Sequence, residues 1–192
     1  MAVRVLVVPG SFRTGSLNTR LAALATKKLA LRGAEVRRIS LADYQMPIYN
    51  GDLEKESGTP AAAQKLAEQF MAHDAVLLVS PEYNASIPPV LSNAIDWMSR
   101  DGVAPFRDRV FALAAASPGP FGGVRVALAL RQMLEASGLG ALVIPEHFLL
   151  TFAGEAFAEN EELKDAAADK RLEAVLRALI ERATALKLSR ES

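Results

Sequence analysis

Ser11, Arg13, Ser16 and Asn18 carry groups that can bind phosphate, and they fall within one short segment, Gly10-Ser-Phe-Arg-Thr-Gly-Ser-Leu-Asn18. A β-branched run, Val5 to Val8, precedes it and stops at Pro9. An Ala/Leu-rich helical pattern follows from about Leu17. A strand that feeds a helix through such a loop directs free backbone N–H groups and the positive helix end at one point. The two hydroxyls, the guanidinium and the amide add side-chain donors there. Gly10 and Gly15 match the opening of a triphosphate-binding G-x-x-x-x-G loop. The match then fails, because Ser16 stands where lysine is required and Leu17 where a hydroxyl would hold magnesium. The dinucleotide pattern G-x-G-x-x-G is also missing, since Ser11 is followed by Phe12 and Arg13. A single phosphate monoester neutralised by Arg13 fits the loop. The plainer alternative is that Ser16 and Asn18 only cap a helix and Arg13 is a solvated charge.

The elements that must position this loop follow from the apolar pattern. Strand-like runs recur at 3–8, 35–39, 75–79, 110–114 and 142–144. Helical patterns lie between them near 17–31, 61–72, 90–99 and 124–136, and a last one near 163–188 places Leu172, Val175, Leu176, Leu179, Ile180, Ala183 and Leu186 on one face. Alternating strands and helices predict a parallel sheet covered on both faces, whose inner strands read as continuous apolar runs. The expected fold is α/β: a flavodoxin-like three-layer sandwich over residues 1–192 as a single domain, with five parallel strands in the order 2-1-3-4-5. Ligands of such sheets bind beyond the carboxyl ends of the strands at the switch point. The loops there, 9–16, 80–89 and 116–123, are rich in glycine, proline and polar residues.

Composition narrows the chemistry. The chain has 192 residues, enough for a proper core, and its 22 basic and 22 acidic residues balance. That balance offers no electrostatic footprint for nucleic acid or an anionic membrane. With no cysteine in the sequence, disulfides, thiolate metal sites and cysteine nucleophiles are excluded. Redox chemistry would have to come from a bound cofactor. The N-terminal apolar run is too short for a signal or a membrane span, so the cytoplasm is the default expectation.

A second segment, Pro81-Glu-Tyr-Asn-Ala-Ser-Ile-Pro-Pro-Val-Leu-Ser-Asn-Ala-Ile-Asp-Trp97, follows the third strand-like run. Together with Gly10–Asn18 it resembles the NADPH-dependent FMN reductase family, which includes quinone, chromate and azo-dye reductases. The family patterns are roughly G-S-x-R-x-x-S-x-N and P-E-Y-N-x-S-x-P-x-x-L-K-N-A-I-D-W. A third segment, Ser117-Pro-Gly-Pro-Phe-Gly-Gly-Val-Arg125, is similar to the family's S-x-G-x-x-G-G. The resemblance runs from Val3 to about Leu150. It implies FMN as cofactor and NADPH or NADH as co-substrate, with hydride passing to the flavin and electrons then to an acceptor: a quinone, an azo dye, free flavin or a metal oxyanion such as chromate. It implies that Ser11, Arg13, Ser16 and Asn18 hold the FMN phosphate, with Leu17 adding its backbone N–H. Pro81, Glu82, Tyr83 and Asn84 would line the ring and ribityl chain, and Ser117 and Gly119 would meet the ring's far side. No side chain need be catalytic and no metal is implied. A homodimer or homotetramer is implied as well. In three places the sequence departs from the pattern: Ser92 replaces a lysine, Pro89 replaces a frequent glycine, and Pro118 and Pro120 stiffen the third loop without donor N–H groups.

Other residues have plainer readings. Trp97 suits a core or a subunit interface, and Asn93 and Asp96 share a helix face at i,i+3 spacing. His73 reads as a helix-end residue and His147 as a loop residue near the fifth strand. Ser86 is placed to cap the helix that begins at Pro88-Pro89, and Glu82 could be a solvated loop acid. The long 43–60 segment, with Met46, Pro47, Tyr49 and Asp52, is either functional or an ordinary surface loop; its Met-Pro-Ile-Tyr is similar to the family's dimer-forming L-P-x-Y. Two rival functions stay in view: a flavodoxin-type electron carrier docking on protein partners, and a flavin binder without turnover. No segment shows a recognisable 2′-phosphate pocket, so NADPH and NADH are not separated.

Overall fold

The computed structural model describes residues 2–100 and 102–191. Among them the strands are β1 (Arg4–Pro9), β2 (Glu35–Arg38), β3 (Ala75–Val79), β4 (Val110–Ala116) and β5 (Leu142–Leu150). The α-helices are α1 (Leu17–Leu31), α2 (Gly51–Ser57), α3 (Ala61–Met71), α4 (Pro89–Met98), α5 (Val124–Glu135) and α6 (Ala166–Glu191). All strand pairs are parallel, and the order is β2-β1-β3-β4-β5. The expected flavodoxin-like architecture is therefore the one observed.

Strand alternation sorts the core into two layers. Val5 and Val7 of β1 join α1 and α6 on one face, whereas Leu6 and Val8 join α3, α4 and α5 on the other. Every residue of β3 and β4 is buried, which explains their unbroken apolar runs. Edge strand β2 keeps only Val36 partly covered and turns Glu35, Arg37 and Arg38 to solvent.

The structure corrects several boundaries. Strand β5 runs to Leu150 because the chain resumes pairing after a bulge, where the register jumps from Phe111↔Val143 to Leu113↔His147. Pro145 cannot donate to the ladder. The Arg131 guanidinium covers the irregularity, donating to the carbonyls of Val143, Ile144 and Pro145. His147 is thus an exposed strand residue and not a loop residue. His73 lies just past α3 as expected, its Nδ1 2.6 Å from the Gln69 carbonyl oxygen. The 43–60 segment is not wholly irregular: a single 3₁₀ turn, Leu41–Asp43, runs into it and is capped by Ser40, and within it α2 is capped by Asn50. Helix α6 starts at Ala166, later than its apolar pattern suggests, because Asp165 accepts from the Ala167 N–H at 2.8 Å. Lys28 of α1 then bonds Asp169 and Glu173 of α6. Burial opposes the charged ammonium, but the two carboxylates outweigh it and raise its pKa.

Candidate functional site

The sheet delivers three loops side by side. The hydrogen-bond ladder continues past the strand ends: Gly10 N–H donates to Val79, Ser80 N–H to Ala114 and Ser117 N–H to Leu150, at 2.9, 2.9 and 3.0 Å. Closeness here depends on Gly10, where a Cβ would lie 2.9 Å from Ser80 Oγ and 3.2 Å from a Leu91 methyl carbon. Ser80 is fully buried and donates to the Pro81 carbonyl at 3.0 Å.

In the first loop, buried Ser11 accepts the Arg13 N–H at 3.3 Å, and its carbonyl accepts from the Thr19 hydroxyl at 3.3 Å. Ser16 N–H donates to the Arg13 carbonyl at 3.1 Å, closing a turn through Gly15, whose φ of 69° favours glycine. Ser16 then stands at the N-cap of α1 with extended backbone, but its hydroxyl does not cap. The N–H groups of Leu17, Asn18 and Thr19 open the helix and have no helical carbonyl to donate to. The Arg13 side chain is exposed and, among the described residues, reaches only the Thr14 carbonyl, at 3.4 Å. The donor set is therefore backbone amides, two hydroxyls and a guanidinium, with no acid in the first helical turn. Such a set suits an oxyanion, and a phosphate monoester fits it.

Asn18 behaves differently from its neighbours. Its amide is buried, donating to the Ala116 carbonyl and accepting the Ala116 N–H, both at 2.8 Å. In place of capping the helix or reaching into the loop, this side chain clamps the start of α1 to the end of β4. Its backbone N–H still faces the uncapped end.

The second and third loops are largely engaged with each other. Tyr83 and Ser86 exchange backbone hydrogen bonds of 3.1 and 3.0 Å around Asn84 and Ala85, both left-handed at φ 49° and 62°. Ser86 therefore closes a hairpin and does not cap α4, whose N-cap is Pro88 without a side-chain bond. Pro89 occupies the first helical position, where a missing N–H costs nothing. Tyr83 is 42% exposed at the hairpin, an aromatic wall beside buried Pro81.

Glu82 is not a solvated acid. Its side chain is 8% exposed and ion-paired with Arg125, and its carboxylate accepts the N–H groups of Arg125 and Val126 at 3.0 and 3.3 Å. It caps α5 from the neighbouring loop. Burial pushes the carboxyl upward, but Arg125 and the two backbone donors outweigh that and hold it below the ordinary carboxylate range. In the third loop Ser117 Oγ accepts the Gly119 N–H at 3.2 Å, and the Gly119 carbonyl accepts from Phe152 N–H at 3.2 Å. Ser117 and Gly119 of the proline-bearing loop are thus engaged within the protein. Gly123 leads it into α5 at φ 87°, where a Cβ would lie 2.6 Å from the Ala115 Cβ.

Sequence reasoning missed two links. One is the Glu82–Arg125 pair, which joins segments 43 positions apart and has no local signal. The other lies on α4, where the working pair is Asn93 and Trp97 at i,i+4 spacing, not Asn93 and Asp96. Asn93 accepts the Tyr49 N–H at 2.7 Å and donates to the Pro47 carbonyl at 2.9 Å, and Trp97 Nε1 donates to the same carbonyl at 2.8 Å. The Tyr49 ring meets Trp97 edge-on, with the Arg100 guanidinium 4.3 Å from its centroid. Trp97 is fully buried. It anchors the 43–60 segment.

The profile of the NADPH-dependent FMN reductase family matches residues 3–155. The chain belongs to this family. It is accordingly an oxidoreductase with FMN as cofactor and NAD(P)H as reductant. It is 37% identical over 178 residues to an NAD(P)H-dependent FMN reductase of Pseudomonas aeruginosa, covering 92% of this chain and 93% of the relative. It is 40% identical over 133 residues to a quinone reductase of Escherichia coli, 69% of each. Among solved structures it is similar to the flavoenzyme NAD(P)H:(acceptor) oxidoreductase of Paracoccus denitrificans, with TM-score 0.79 and 28% identity over 95% of this chain and 98% of that one. Among the described residues no helix is long and apolar enough to cross a membrane, and no three His, Asp or Glu side chains group as a metal site.

Proposed function

We propose that this chain reduces quinones, azo dyes, free flavin or metal oxyanions such as chromate at the expense of NAD(P)H, through FMN seated on the loops after β1, β3 and β4. The observation that carries the reading is the uncapped start of α1: free amides, the Ser11 and Ser16 hydroxyls and the Arg13 guanidinium, with no acid in the first turn. In this reading Arg13 neutralises the phosphate, and Leu17 and Asn18 donate backbone N–H groups. Asn18 holds that helix end against β4 through its side chain. Pro81, Tyr83 and Asn84 form the wall beside the ring, Glu82 fixes that wall to α5, and Ser117 and Gly119 border the far side. FMN, when bound, accepts a hydride and passes its electrons on. The protein's part is to orient and shield. No side chain is required as acid, base or nucleophile.

The assembly is proposed to be one domain per chain in a homodimer or homotetramer, with α4 and the 43–60 segment near the contact; exposed Ile48 beside the Trp97 anchor supports this. The proposed compartment is the cytoplasm. Mixing purified protein with FMN and NADPH without oxygen tests the reading. Loss of the flavin's visible absorption, followed by its return on adding a quinone, is expected. No loss would overturn the reductase reading, and loss only with an added reductase would favour the electron carrier.

A further inference from the structure

The loop after β1 has a second side. Between it and the end of β2 lies a cleft of about 470 Å³. Arg13, Arg37 and Arg38 all line it, and Asp43 is the acid in its wall. Among the described residues, the side chains of Arg37 and Arg38 make no hydrogen bond or ion pair. The wall shares Ser11 and Arg13 with the loop assigned above to the flavin phosphate but not Ser16, Leu17 or Asn18, and it adds Arg37 and Arg38 of β2, so it adjoins that site on the β2 side.

Charge bookkeeping points to a second anion. A phosphate monoester carries about −1.5 to −2 charges near neutral pH. The helix end, its hydroxyls and Arg13 are matched to one such group. Arg37 and Arg38 then leave two further cations, and among the described residues no side chain pairs with either, Asp43 being the acid of the wall. Two aromatic residues, Phe12 and Tyr44, also line the cleft, and Phe12 is 58% exposed. The same two residues line an adjoining cavity of about 220 Å³ that reaches Val90, in the first turn of α4. The two cavities thus share Phe12 and Tyr44, aromatic residues suited to a purine, between the β2 arginines and the first turn of α4.

We propose that this cleft is a phosphate-monoester subsite for the 2′-phosphate of NADPH, and that it makes the enzyme prefer NADPH to NADH. The proposal rests on the reductase reading. Arginine is a residue that accommodates a ribose 2′-phosphate in nucleotide-binding α/β folds. Paired arginines suit that group through charge and multiple donors.

The test is steady-state kinetics of the FMN-loaded enzyme and its R37A/R38A variant with NADPH and NADH as reductants and a quinone as acceptor. KM for NADPH should rise by about 10-fold to 100-fold, the loss of one or two charge-assisted hydrogen bonds. KM for NADH and the bound FMN content should not change, and R37K/R38K should recover part of the NADPH preference. Equal changes with both reductants, or none, overturn the subsite and leave the arginines as edge-strand charges that block pairing. A fall in FMN content overturns it by assigning the cleft to the resident phosphate. A rise in KM for free FMN but not riboflavin as acceptor, with NADPH unaffected, overturns it in favour of the acceptor's phosphate. Failure of the reductase reading is distinguishable, because the unmodified enzyme would then oxidise neither nucleotide.

Discussion

The loop after β1 and the pair of loops after β3 and β4 lie at the same edge of the same sheet, yet they manage their polar groups in opposite ways. The first leaves a helix end uncapped and an exposed guanidinium held by one long bond to the Thr14 carbonyl. The others close on themselves: Glu82 caps α5, Ser117 accepts from Gly119, and Tyr83 pairs with Ser86. A region that keeps unsatisfied donors can bind an anion by direct contact. A region that ties Glu82, Ser117 and Gly119 into internal hydrogen bonds offers instead a more rigid surface.

That contrast can be broken at graded cost. Gly123→Ala should be the most damaging change, because the left-handed backbone and the 2.6 Å approach to Ala115 both penalise a Cβ. A loss of about 2–4 kcal/mol in urea unfolding is expected from strain and overpacking together. Arg13→Ala should act on ligand and not on fold, weakening FMN by about 1.5–3 kcal/mol with an unchanged unfolding midpoint. Unchanged FMN affinity, measured by fluorescence titration, would place the phosphate elsewhere.

Asn18→Ala should combine both kinds of effect. It strips partners from the Ala116 N–H and carbonyl, costing about 1–3 kcal/mol of stability. If only FMN affinity fell, Asn18 would be a ligand donor and not a clamp.

Glu82 supplies the pH-dependent member of the set. Its folded-state pKa lies below the ordinary value, so it stabilises the loops at pH above that ordinary value. The contribution disappears as pH falls through the lower, folded value. Thermal unfolding of the protein against E82Q should show a gap at neutral pH that narrows in acid; a gap independent of pH would mean that the carboxylate's charge is not what holds the two loops. The smallest effect is expected at Ala85, whose φ of 62° is unfavourable for any residue with a Cβ. Ala85→Gly should stabilise the hairpin by at most about 1 kcal/mol.

Much of this molecule is legible locally. The apolar runs of β3 and β4, the helix face of α6 and the Gly10–Asn18 spacing depend on neighbours in sequence, and the fold and the family follow from them. Strand β5 escaped that reading because Pro145 interrupts its pattern, and the covering guanidinium comes from another element. Asn18 looked like a donor because its partner, Ala116, is 98 residues away.

The sequence by itself determined the order of strands and helices, the Gly10–Asn18 loop between β1 and α1, and that loop's lack of the lysine and of the G-x-G-x-x-G spacing that would adapt it to other nucleotides. Tertiary structure alone decided which polar groups stay free. Burial makes every hydrogen bond a question of what lies opposite, so Glu82 was assigned to α5, Asn18 to β4 and Trp97 to the Pro47 carbonyl only when the sheet brought them together. Arg37 and Arg38, read in sequence, are two charges on an edge strand. Beside Arg13 they become the wall of a cleft.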